Sequence, residues 1–119
     1  MTSAEFRRLA LRLPEAVEGS HMGHADFRVG GRIFASLGPD PDRAMVKLRL
    51  EDQEHLINTE PEAFTPAKGA WGRQGCTLIC LSSSRGPSLR QAIRAAWRCR
   101  APKDLELLGG GRTPTRSRP

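Results

Sequence analysis

Residues 71–103 read WGRQGCTLICLSSSRGPSLRQAIRAAWRCRAPK, one strand and one helix joined by a serine turn. Cys76-Thr77-Leu78-Ile79-Cys80-Leu81 lacks polar alternation after Thr77, which predicts a central strand covered on both sides. The helix is predicted to open near Ser88, where Ser88 and Gln91 stand at capping-box spacing just after Pro87. It stops before Pro102, which disfavours helical geometry at Ala101. Leu89, Ile93, Ala96 and Trp97 recur at helical spacing and share a face that can be buried. Arg90, Arg94 and Arg98 form a parallel row turned by about 100°. Arg85, Arg100 and Lys103 extend the charge, and no acid lies between Gly69 and Lys103.

Upstream, Thr2 and Glu5 form a second capping box, after which Phe6, Leu9, Ala10 and Leu13 mark the buried side of a helix ended by Pro14. A short strand is expected within Glu15 to Gly23, although Gly19 and Gly23 weaken it. Asp26-Phe27-Arg28-Val29 alternates, Gly30-Gly31 suits the positive φ angles of a tight turn, and Arg32-Ile33-Phe34-Ala35-Ser36-Leu37 follows as hairpin partner. After the Gly38–Asp42 turn, Ala44 to Leu50 alternates between an apolar face and a basic one of Met45, Lys47 and Arg49. A short helix is expected over Glu51–Asn58, with Leu56 and Ile57 on the core. Pro61 to Gly75 reads mostly as connection, with Ala63 and Phe64 in a single helical turn and a glycine-rich loop around Trp71.

The chain has 119 residues, enough for one small domain, assigned to residues 1–108. Residues 109–119, with Arg112, Arg116 and Arg118 but no apolar side chain, read as a flexible basic tail. The net charge of +6 is uneven: Met1 to Glu60 holds eight Lys and Arg against ten Asp and Glu, while Pro61 to Pro119 holds eleven against three. Such a basic half points to polyanions, or else to an ordinary solvated arginine surface. No apolar run approaches a membrane span and no secretory leader is visible, so the expected compartment is the cytoplasm. Cys76, Cys80 and Cys99 fit no zinc pattern and are expected to be free thiols.

Several stretches together resemble the MmcQ/YjbR family of small bacterial proteins. They are Leu13-Pro14-Glu15, Asp26 through Ala35, Val46-Lys47-Leu48, Pro61-Glu62-Ala63-Phe64, Gly69-Ala70-Trp71-Gly72, Ala95-Ala96-Trp97 and Ala101-Pro102-Lys103. The resemblance spans roughly residues 4–105. It implies an α+β fold, CyaY/frataxin-like, with an antiparallel β-sheet packed against the N- and C-terminal helices. It also carries the family's DNA-binding label, attached to a double-wing surface. The arginine-rich tail lies outside the family pattern, and Cys76 stands where a bulky residue is expected.

A nucleic-acid surface is expected on the C-terminal helix and tail, with Arg90, Arg94, Arg98, Arg100 and Lys103 at its centre, extended by Lys47 and Arg49, or by Arg28 and Arg32 if their hairpin acts as a wing. Such a surface would bind phosphates with little sequence preference. Its competing explanation is a solvated helix flank. With no tyrosine, and with most of the Phe and Trp residues at expected core positions, duplex DNA is favoured over single strands. His21, His24 and Asp26 are metal-binding residue types, but their glycine-broken setting argues against a site. Iron binding is disfavoured because the first helix carries Arg7, Arg8 and Arg12 against Glu5. Ser82-Ser83-Ser84 fills a turn, no histidine follows His55, and no phosphate loop is present, so neither an enzyme nor a cofactor is expected. The alternative function is a protein-interaction or small-ligand module using the groove between the sheet and Trp71.

Overall fold

Thr2 and Glu5 cap the first helix reciprocally in the computed structural model, which describes residues 1–103. The Glu5 N–H donates to Thr2 Oγ1 at 3.2 Å and the Thr2 N–H to Glu5 Oε1 at 2.8 Å. The helix, α1 (Ser3–Leu11), buries Phe6 and Ala10, with Leu9 and Leu13 packed beside them. A meander follows: β1 (Val17–His21), β2 (His24–Val29), β3 (Arg32–Leu37) and β4 (Arg43–Lys47). Then come α2 (Leu50–Thr59), β5 (Phe64–Pro66), α3 (Gly69–Arg73), β6 (Cys76–Cys80) and α4 (Gly86–Arg100). The six strands form one antiparallel sheet in the order β1-β2-β3-β4-β6-β5.

The expected Gly30-Gly31 hairpin is present, with φ of 60° and 80° at its two turn residues. One feature of it was not legible: Phe27 pairs with Ala35 but Arg28 with Ile33, so Phe34 is an extra residue in β3. This bulge buries Phe34 and Ala35 side by side although they are neighbours in sequence. Across the sheet, Phe27, Ala35, Val46 and Thr77 line up on one face, all wholly buried. Helix α4 packs over β3 and β4 on this face through Leu89, Ile93, Ala96 and Trp97, and α1 and α2 both pack against α4.

The row on the opposite face runs Gly19, Asp26, Ser36, Met45, Leu78 and Thr65. No described helix covers its centre, where Leu78 is 38% exposed. The expectation that β6 is covered on both sides is therefore corrected. Its apolar run reflects in-plane neighbours, β4 and β5, and only Thr77 and Ile79 point into the helical layer.

Three further expectations change. Helix α4 opens at Gly86, because Pro87 suits the first helical turn, so Ser88 already lies inside the helix. Its hydroxyl donates across to the Glu60 carboxylate at the end of α2, and no Ser88–Gln91 capping box forms. Strand β4 ends at Lys47 and Leu50 opens α2 half exposed, where a continuing strand was expected. The Pro61–Gly75 connection holds β5 and α3, with Phe64 in the strand and not in a helical turn. The 109–119 tail lies outside the described residues.

Candidate functional site

Helix α4 sets out its charges as the spacing dictates, with Arg90 and Arg94 exposed along the flank of the buried row. Helix α1 runs beside it, and the Trp97 indole N–H donates to the Pro14 carbonyl at 3.0 Å, pinning the chain where it leaves α1. Between the two lies a cleft of about 340 Å³. Leu9, Leu13, Pro14 and Ile93 contribute its apolar lining; Arg12, Arg90 and Arg94 contribute its charge, and among the described residues no carboxylate lines it. Arg12 was not among the expected residues. Nothing local in sequence pairs the last turn of α1 with residues some eighty positions later.

The other expected residues lie elsewhere. Arg98 and Arg100 are half-buried near the end of α4. The Arg49 guanidinium approaches the Arg98 carbonyl at 3.5 Å, and Arg100 Nε donates to the Ile33 carbonyl at 3.2 Å. Arg100 thereby reaches the open face of the sheet, where it lines the same cavity as Lys47, whose ammonium donates to the Gln74 carbonyl. Lys103 is exposed just beyond the helix.

Arg28 is committed to a different task. It donates from Nε to Asp26 Oδ1 at 2.7 Å and from Nη2 to Oδ2 at 3.0 Å, while His21 Nδ1 lies 2.7 Å from Oδ2. The Asp26 side chain is wholly buried, and the Arg28 hydrogen bonds hold its carboxyl below the ordinary carboxylate range, with His21 adding to the effect. Gly19 makes room for this pair: a Cβ there would stand 3.1 Å from both Arg28 Nε and Asp26 Oδ1. Arg32 remains exposed at the hairpin, but the turn itself does not stand free, since a Cβ on Gly30 would meet the Pro102 ring at 3.0 Å. Among the described residues, no cluster of three or more His, Cys, Asp or Glu side chains is arranged to hold a metal ion.

The cysteines are free. Burial pushes the Cys76 thiol up, partly offset by Lys47 and Arg100. Hydrogen bonding with Ser83 and Ser82 lowers that of Cys80, which also lies 3.4 Å from Asp42 Oδ2. Asp42 accepts from the Ser82 N–H at 2.8 Å and its hydroxyl at 2.7 Å, so Ser82 secures the turn after β6.

The family model YjbR matches residues 11–99. The chain belongs to the YjbR family. The match takes in the whole sheet and all of α4 but its last residue, so that Arg12, Lys47, Arg90 and Arg94 of this YjbR chain lie inside it and Arg100 one position beyond. A solved structure, that of Deinococcus radiodurans protein DR2400 with its DUF419 domain, superposes with a TM-score of 0.69 at 20% identity. The alignment covers 82% of this chain and 77% of that one, which establishes the α+β fold. No curated protein matches the YjbR chain. No helix among the described residues is long and apolar enough to cross a membrane.

Proposed function

We propose that this YjbR chain is a non-catalytic binding protein for nucleic-acid phosphates, duplex DNA foremost, acting through the cleft between α1 and α4. The observation that carries this reading is the convergence of Arg12, Arg90 and Arg94 on one cleft. Arginines so placed match phosphate oxygens in geometry and charge, and contacts to the backbone give affinity with little sequence preference.

The test is fluorescence anisotropy with a labelled duplex at low and near-physiological salt. Three phosphate contacts give a slope of log K on log salt of roughly −2.7, and Arg12→Ala with Arg90→Ala and Arg94→Ala removes most of it. A chain ending at Leu108 retains that slope if the cleft is the footprint. Loss of binding on truncation alone shifts the footprint to the tail, and absence of binding at low salt overturns the proposal.

A further inference from the structure

On the sheet face whose centre no described helix covers lies a cavity of about 470 Å³, bordered by α3 and separate from the α1–α4 cleft. Its apolar surface comes from Ile33, Met45, Ala67 and Cys76, and the Trp71 indole stands at its wall 69% exposed. Leaving so large an aromatic surface in water forfeits hydrophobic stabilisation, and the surroundings hold it there firmly. Gly72 packs so closely on the chain before it that a Cβ would fall 2.0 Å from the Ala67 carbonyl oxygen. The buried Gln53 amide donates to the carbonyls of Gly72 at 3.0 Å and Cys76 at 3.2 Å, tying α3 to β6. Trp71 is thus presented on a fixed mount, which reduces the entropy lost when something stacks on it.

Two cations share this cavity, and neither has exhausted its donors. Lys47 gives one ammonium hydrogen to the Gln74 carbonyl, and Arg100 gives its Nε–H to the Ile33 carbonyl. The terminal guanidinium nitrogens of Arg100 meet no partner among the described residues. Among the described residues no carboxylate lines the cavity. His21 and Ser36 supply further hydrogen-bonding groups.

We propose that this face binds a small ligand with a flat aromatic body and one anionic group, the ring stacked on Trp71 and the carboxylate or phosphate held by Lys47 and Arg100. The cavity volume suits a ligand of that size, and a few charged groups set in apolar surroundings are the usual makeup of such a site. An aromatic face favours a planar body over a flexible chain. Arg100 offers a fork of donors to the oxygens, while Lys47 adds a compact charge.

The experiment is isothermal titration calorimetry on the full chain with two pairs of probes: adenosine monophosphate against adenosine, and indole-3-acetate against indole-3-acetamide. At least one anion binds, its neutral counterpart at least tenfold more weakly, and the preferred anion tells whether phosphate or carboxylate is the group taken. Trp71→Ala and Lys47→Gln each weaken that binding at least tenfold. Arg100→Gln does the same, and because Arg100 also anchors Ile33, its circular dichroism spectrum and melting temperature are compared with the parent's. Arg90→Ala with Arg94→Ala leaves binding within twofold, whatever the duplex titration gives. No heat from either anion at millimolar concentration, equal binding of the neutral probes, or indifference to Trp71→Ala overturns the proposal.

Discussion

Asp26 holds its charge where water does not reach, on a sheet face that is otherwise part-open. The site works because Arg28 and His21 lay themselves over the carboxylate and the missing side chain of Gly19 lets Arg28 in. Asp26→Asn removes the charge that organises both neighbours. A wholly buried ion pair would cost about 3–5 kcal/mol to break, but Arg28 and His21 reach solvent, so a loss of about 2 kcal/mol in urea unfolding is expected. The pH dependence follows from the depressed folded-state pKa. Asp26 stabilises the fold above the ordinary carboxylate value of about 3.9 and loses that contribution as pH falls through the lower folded value. The unfolding midpoint therefore drops on acidification below about pH 5, and Asp26→Asn flattens that limb. An unchanged acid limb in the variant would show that other carboxylates govern it. Gly75 supplies a sharper test. At φ 106° its Cβ would sit 2.0 Å from the Leu48 carbonyl oxygen, a backbone atom that cannot swing aside. Gly75→Ala is expected to cost about 3 kcal/mol or more, measured by the same denaturation.

The elements divide by how local their causes are. The Gly30-Gly31 hairpin and the Thr2–Glu5 cap were legible because the residues that make each lie within a few positions of one another. Strand β5 and helix α3 were not: three and five residues are too few to set a period, and Pro66, Gly69 and Gly72 read as punctuation. The start of α4 misled for a different reason. Ser88 and Gln91 have capping-box spacing, but Pro87 moved the helix start upstream and Glu60, just past the end of α2, took the hydroxyl. This distinction is measurable. Ser88→Ala is expected to lose about 1.5 kcal/mol by removing a hydrogen bond to a carboxylate, whereas exposed Gln91→Ala stays within about 0.5 kcal/mol of the parent. Equal losses from both would restore the reciprocal cap.

Across the whole molecule, α4 serves two surfaces. Its middle turns face the α1 cleft with Arg90 and Arg94, and its last turn sends Arg100 around to the uncovered side of the sheet. Helical spacing showed the arginine row, but it could not show this division, because Arg12, Lys47 and Trp71 arrive from distant segments. The open face also depended on the β3 bulge: Ile33 and Ser36, of opposite parity in sequence, both line its cavity because Phe34 is inserted between them. If the two surfaces act separately, Arg100→Gln leaves the salt slope for duplex DNA unchanged, while Arg12→Ala lowers it by about 0.9. Coupled losses in the anisotropy titration would instead join them into one footprint.

The strand order has a bearing on how copies of this chain meet. At one border of the sheet stands β5, three residues long and ending in Pro66, which has no N–H to offer an incoming strand. At the other stands β1, five residues with no strand beyond it among the described residues. Among the described residues, β1 therefore offers a fuller row of backbone donors and acceptors to an added strand than β5 does, and two such edges meeting would leave only the short, proline-ended β5 at either border of the joined sheet.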